Sequence, residues 1–277
     1  METDAHLHQP FLAPCSLLPA PRFLMRHYFT ILSHEIRALL YNPSTYIAAV
    51  LFLLVMGFIF TDILGVYSKT PQETPPAVVF FQAFIIPVLF MVPLLTMKSF
   101  AEERRLGTLE TLLTAPVSTT EVVLGKFSAA YLFYILLWSL TIGFHYILQL
   151  YARDARYLDS GPLIGGYLFI AVSGLLFIAV GILASAITRN QAVAGILSFT
   201  VLLGLIVGLS SLGELSAFNN DLLSPVKSAV ESLRIPGHVD DFTHGIVDTR
   251  QVFFYLTGCI LSLIFSILGV EAKILSS

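Results

Sequence analysis

Six apolar runs, each about long enough to cross a bilayer, constrain this chain more than any other feature: residues 46–66, 77–97, 127–150, 162–187, 192–213 and 251–270. A hydrocarbon core about 30 Å thick takes roughly 20 residues of helix. Lipid offers no partner to a backbone N–H or C=O, so a single crossing segment has to bond within itself, as a helix does. The expected fold is therefore an all-α integral membrane protein of six transmembrane helices. Composition agrees: 56% of the 277 residues are hydrophobic and 12% are charged, against about 25% charged in soluble domains. Residues 214–250 form the longest polar stretch, too short for a soluble domain beside the spans.

What lies between the runs gives each end of the bundle a character. From Met25 to Tyr41, Phe29, Leu32, Ile36 and Leu39 keep helical spacing with His27, Ser33 and Arg37 between them, which predicts an interfacial helix on the inner leaflet. Residues 1–24 are proline-rich without a helical period and read as a disordered leader or a mis-assigned start, leaving 25–273 as one transmembrane domain. Pro87 and Pro93 in the second run predict a bend. In the loop 98–126, Phe100, Leu106, Leu109 and Leu113 share a helical face, while Glu102, Arg104, Arg105 and Glu110 point elsewhere. That is a short amphipathic helix interrupted at Gly107. Ser118 and Glu121 have the spacing of a capping box that opens the third span. Residues 214–250 suggest a pair of short amphipathic pieces, 222–233 and 239–247, separated by Ile235, Pro236 and Gly237. Gly174, Gly181, Gly204 and Gly208 are expected to permit close helix packing.

Lys and Arg orient the chain. With the N-terminus inside, nine fall on the cytoplasmic side and six outside, and ten of eighteen acids fall outside. Both termini are therefore expected in the cytoplasm. Cys15 and Cys259 cannot form a disulfide framework. The spans hold almost no ionisable groups, which disfavours transport driven by an ion gradient. A nucleotide loop is absent as well, because Gly125-Lys126 is preceded by Thr120 at the first glycine position and followed by Phe127 where Ser or Thr is needed. If ATP drives this chain, another subunit hydrolyses it. His238, Asp240, Asp241, His244 and Asp248 crowd the outer loop. They keep an alternative open, a membrane scaffold or membrane-embedded enzyme using that cluster, although no residue is assigned as a metal ligand.

MKSFAEERRLGTLETLLTAPVS from Met97 and EVVLGK from Glu121 resemble the cytoplasmic loop of type-2 (exporter) ABC transporter permeases. GILASAITRNQ from Gly181 and HVDDFTHGIVDTR from His238 support the likeness. More narrowly, the chain from about Met25 resembles the permease associated with gliding motility, the F component of the Gld transporter. That resemblance implies a bacterial inner-membrane, multi-pass permease without catalytic residues. It implies pairing with a second permease chain, in a homo- or heterodimer, contact with membrane lipid and none with nucleic acid. A separate ABC ATPase subunit would carry the ATP and Mg. Glu102, Glu103, Arg104, Arg105, Gly107, Thr108, Leu109 and Glu110 would then form the helix that couples to the ATPase, and the N-terminal interfacial helix would touch it too.

Overall fold

The computed structural model describes residues 21–70, 73–107, 117–151, 160–213 and 232–274, and among these every regular element is helical. In chain order they are α1 (Pro21–Tyr41), α2 (Pro43–Lys69), α3 (Pro76–Gln82), α4 (Ile85–Thr96), α5 (Ala101–Leu106), α6 (Thr119–Leu140) and α7 (Ile142–Tyr151). There follow α8 (Ser160–Ile187), α9 (Gln191–Leu203), a π turn (Gly204–Gly208), α10 (Leu209–Gly213), α11 (Ile235–Thr243) and α12 (Thr249–Ile274). Six stretches among the described residues are long and apolar enough to cross a membrane: 43–69, 85–106, 119–150, 160–187, 191–211 and 249–272.

Local rules explain most boundaries. Asn42 caps α2: its side chain accepts from Ser44 N–H at 3.2 Å, and Pro43 takes the first helical position, where a missing N–H costs nothing. The second crossing breaks between α3 and α4, at Ala83 and Phe84. Pro87 causes this, because a proline can neither bond to nor clear the carbonyl four residues earlier, which belongs to Ala83. Pro93 stays inside α4. Helix α1 begins at Pro21, inside the stretch read as leader, since proline suits a first helical turn; residues 1–20 lie outside the described residues.

Span four, α8, is the hub. Of its apolar window 72% is buried, against 22% in the fifth and sixth spans. Glycines make the close approaches. A Cβ at Gly174 would overlap the Tyr134 ring, one at Gly181 the Thr96 hydroxyl, one at Gly166 the Phe81 ring, and one at Gly165 the backbone carbonyl of Phe242. Packing at Gly204 and Gly208 is different: among the described residues nothing lies within 4 Å of a Cβ there. Inside this chain these two glycines bracket the π turn instead of admitting a neighbour. His145 sits among aromatic rings, 4.6 Å from the Phe80 centroid and 6.0 Å from that of Phe81.

Candidate functional site

At one end of the bundle α1, α5 and α6 meet around a single buried cation. The capping box that opens α6 forms: the Ser118 hydroxyl accepts from Glu121 N–H at 3.3 Å, and the Glu121 carboxylate accepts from Ser118 N–H at 2.9 Å. Two turns into α6, Gly125 lets α1 cross closely, because a Cβ would fall 2.7 Å from Cγ2 of Ile31. Tyr28 Oη donates to Ser128 Oγ at 2.8 Å on the same face. Beside Gly125 stands Lys126, whose side chain is 2% exposed. Its ammonium donates to Glu35 of α1 at 2.7 Å and to Glu103 of α5 at 2.6 Å, and lies 5.4 Å from the centroid of the Phe100 ring. One cation thus ties together three elements far apart in the chain. Buried ions of this kind survive only with their partners, since the desolvation cost is offset by Coulomb attraction and hydrogen bonds together.

A hydroxyl pins the turn leading into α5. Ser185 Oγ, near the end of α8, accepts from Phe100 N–H at 3.0 Å and Ala101 N–H at 3.1 Å, and donates to the Met97 carbonyl at 3.2 Å. One donor and two acceptor lone pairs are all a hydroxyl has, so Ser185 holds residues 97–101 against the fourth span.

The expected orientation of α5 needs correcting. Leu106 is exposed while Glu103 and Arg104 are half-buried, because Lys126 draws the Glu103 carboxylate inward. Both terminal nitrogens of Arg104 are buried without an acceptor among the described residues, and the like charge of Arg189 acts on the same guanidinium. Glu102 and Arg105 approach to 3.9 Å at the surface, where such a pair contributes little. Gly107 ends the helix at φ 72°, a left-handed cap. Thr108, Leu109 and Glu110, with Leu113 and Pro116, lie outside the described residues. Sequence reasoning passed over Glu35 and gave Lys126 no partner. The signal was complementary: a lone acid inside the apolar stripe of α1 and a lone cation two turns into α6.

At the opposite end, the residues of the His/Asp cluster take separate structural partners. His238 is buried, its Nδ1 2.9 Å from Tyr255 Oη and its Nε2 3.0 Å from the Ser232 carbonyl. Burial pushes its imidazole below its ordinary range, so at neutral pH it stays neutral. Asp241 accepts from Gln251 Nε2 at 2.6 Å, Asp240 from Gln82 Nε2 at 2.7 Å, and Asp248 from Arg250 N–H at 2.9 Å. Among the described residues no three of His, Cys, Asp or Glu are placed to hold one metal ion. Ile235, Pro236 and Gly237 are not a break between helices; they form the first turn of α11, Pro236 sitting where a first turn tolerates it. Residues 222–231 lie outside the described residues.

Comparison with curated proteins gives no match. A family model described as ABC-2 family transporter protein matches residues 29–270, from the first turns of the packed stretch of α1 to near the end of α12. With six membrane-length helices, and with that family model running through every one of them, the chain belongs to the ABC-2 transporter family and is a multi-pass membrane permease of an ABC transporter, a transmembrane component and not the nucleotide-binding subunit.

Proposed function

We propose that this permease converts movements of a separate ABC ATPase subunit into rearrangement of its spans through the seam centred on Lys126. The observation that supports the reading best is the double ion pair of Lys126 with Glu35 and Glu103. Through it, a push on α5 or on the loop after it is felt directly by α1 and by the third span, and through Ser185 by the fourth. Arg104 supports it as well. A buried guanidinium without an acceptor among the described residues is completed by an acidic group on a partner. In this reading 102–110 form the coupling segment, and ATP and Mg bind on the partner. Two permease chains, identical or related, make the transporter, which works as an exporter in a bacterial inner membrane. The motifs beginning at Met97, Gly181 and His238 favour the gliding-motility type.

Leu109→Asp combined with Glu110→Lys is expected to abolish co-purification of the ATPase, or to uncouple hydrolysis from transport, with membrane insertion unchanged. An amphipathic segment docks by its apolar edge and charged flanks, and the pair of changes reverses both. Full partner binding and activity in the double variant would refute the coupling role.

The Lys and Arg distribution supports a cytoplasmic position for the seam and for both termini. Single cysteines at Thr108 and Ser228, in a background lacking Cys15 and Cys259, report this. An impermeant maleimide applied to intact cells is expected to label position 228 and spare 108, and the reverse pattern would invert the topology.

A further inference from the structure

The end of the bundle opposite Lys126 holds a cavity of about 800 Å³ between α11 and the start of α12, within the size range of small-molecule sites. Its charged and amide lining comprises Arg234, Arg250, Asp240, Asp241, Asp248 and Gln251. Each aspartate spends one carboxylate oxygen on a bond inside the chain, Asp240 on Gln82, Asp241 on Gln251 and Asp248 on the Arg250 N–H. Neither guanidinium forms an ion pair with any described residue. Gln251 is the telling residue. Its side chain is buried, at 9% exposure, and its Nε2 is committed to Asp241, yet its Oε1 meets no donor among the described residues. A buried amide oxygen left without a donor is costly, and a ligand N–H removes that cost. His238 does not supply one, because both its ring nitrogens are already engaged within the chain and burial keeps it uncharged.

The lining carries charges of both signs. Three carboxylates repel a bare anion, and two guanidiniums repel a bare cation. A molecule carrying both charges meets complementary groups, its acid facing Arg234 and Arg250 and its cation facing the aspartates, as charge-assisted bonds favour. We propose that this cavity binds a zwitterionic group composed of a primary ammonium and a phosphate or carboxylate, either a lipid headgroup of the ethanolamine type or a free small zwitterion. The ammonium has to be primary in this assignment, because a quaternary ammonium has no N–H to give Gln251. The inference stands apart from the coupling role of the Lys126 seam.

Titration of the full chain, held in nanodiscs of phosphatidylcholine, with soluble phosphoethanolamine and with phosphocholine tests it by calorimetry. A second arm incorporates phosphatidylethanolamine and follows its retention by native mass spectrometry. Phosphoethanolamine, its lipid, or both are expected to bind, and phosphocholine at least tenfold more weakly. Binding in the lipid arm alone identifies a headgroup as the source, and binding in both arms identifies the zwitterion itself. Arg234→Gln and Asp248→Asn are each expected to weaken binding about tenfold. Neither should lower the melting temperature, because Asn still accepts the Arg250 N–H and the Arg234 guanidinium forms no ion pair with any described residue. Absence of binding in both arms overturns the proposal, as does equal binding of phosphocholine or variants that bind like the parent.

Discussion

Lys126→Met is expected to detach α1 from the bundle. The substitution keeps all but the last atom of the side chain's length and removes the ammonium that donates to both Glu35 and Glu103. Two partly buried carboxylates are then left facing each other, and losing one member of a fully buried ion pair, the upper limit for this site, costs about 3–5 kcal/mol. Amide hydrogen exchange in residues 27–41 should rise sharply while the interior of α8 stays protected. The triple variant Lys126→Met, Glu35→Gln and Glu103→Gln should recover most of the loss, because it leaves no uncompensated charge. ATPase association should follow the same order, weak in the single variant and largely restored in the triple. Unchanged exchange in α1 of the single variant would show that the close contact of Ile31 with Gly125 holds the helix without the ion pairs.

Gly165→Ala should be the most damaging single methyl group in the spans. The added Cβ would overlap the Phe242 carbonyl oxygen and lie 2.8 Å from its carbon. These are backbone atoms of a packed helix and cannot rotate away as a side chain does. Overpacking typically costs about 1–3 kcal/mol, and a backbone obstacle puts this site at the upper end. Helix α11 should move off α8, carrying His238 away from Tyr255. Gly204→Ala is the matched control, since no described residue stands within 4 Å of the new atom and alanine is about 1 kcal/mol better than glycine within a helix. Thermal unfolding in detergent should separate the two, with Gly165→Ala melting well below the parent and Gly204→Ala at or above it. Equal melting temperatures would mean that the α8 and α11 backbones are not in contact.

Much of this protein is decided within short stretches of chain, and those stretches are legible before any fold is known. Six spans follow from run length and apolarity, because lipid compels each run to satisfy its own backbone. The start of α6 follows from Ser118 and Glu121, three residues apart, and the end of α5 from Gly107, where glycine adopts φ 72° without strain. A bend in the second span follows from its prolines, although only the structure shows that Pro87 produces the break. The candidate site was half legible. Its place in the chain came from the charged, helix-forming loop, but the inward turn of Glu103 did not, because amphipathic periodicity assigns charge to water unless a buried partner is known. That partner, Lys126, lies 23 residues from Glu103 and 91 from Glu35, and no local pattern encodes such a pairing. Glycine roles divide the same way. Gly174 and Gly204 look alike in sequence, yet one faces the ring of Tyr134 and the other faces nothing among the described residues. Spacing along one helix decides which residues share a face; which neighbour meets that face depends on how all six helices share a limited interior, and that is settled only when they pack.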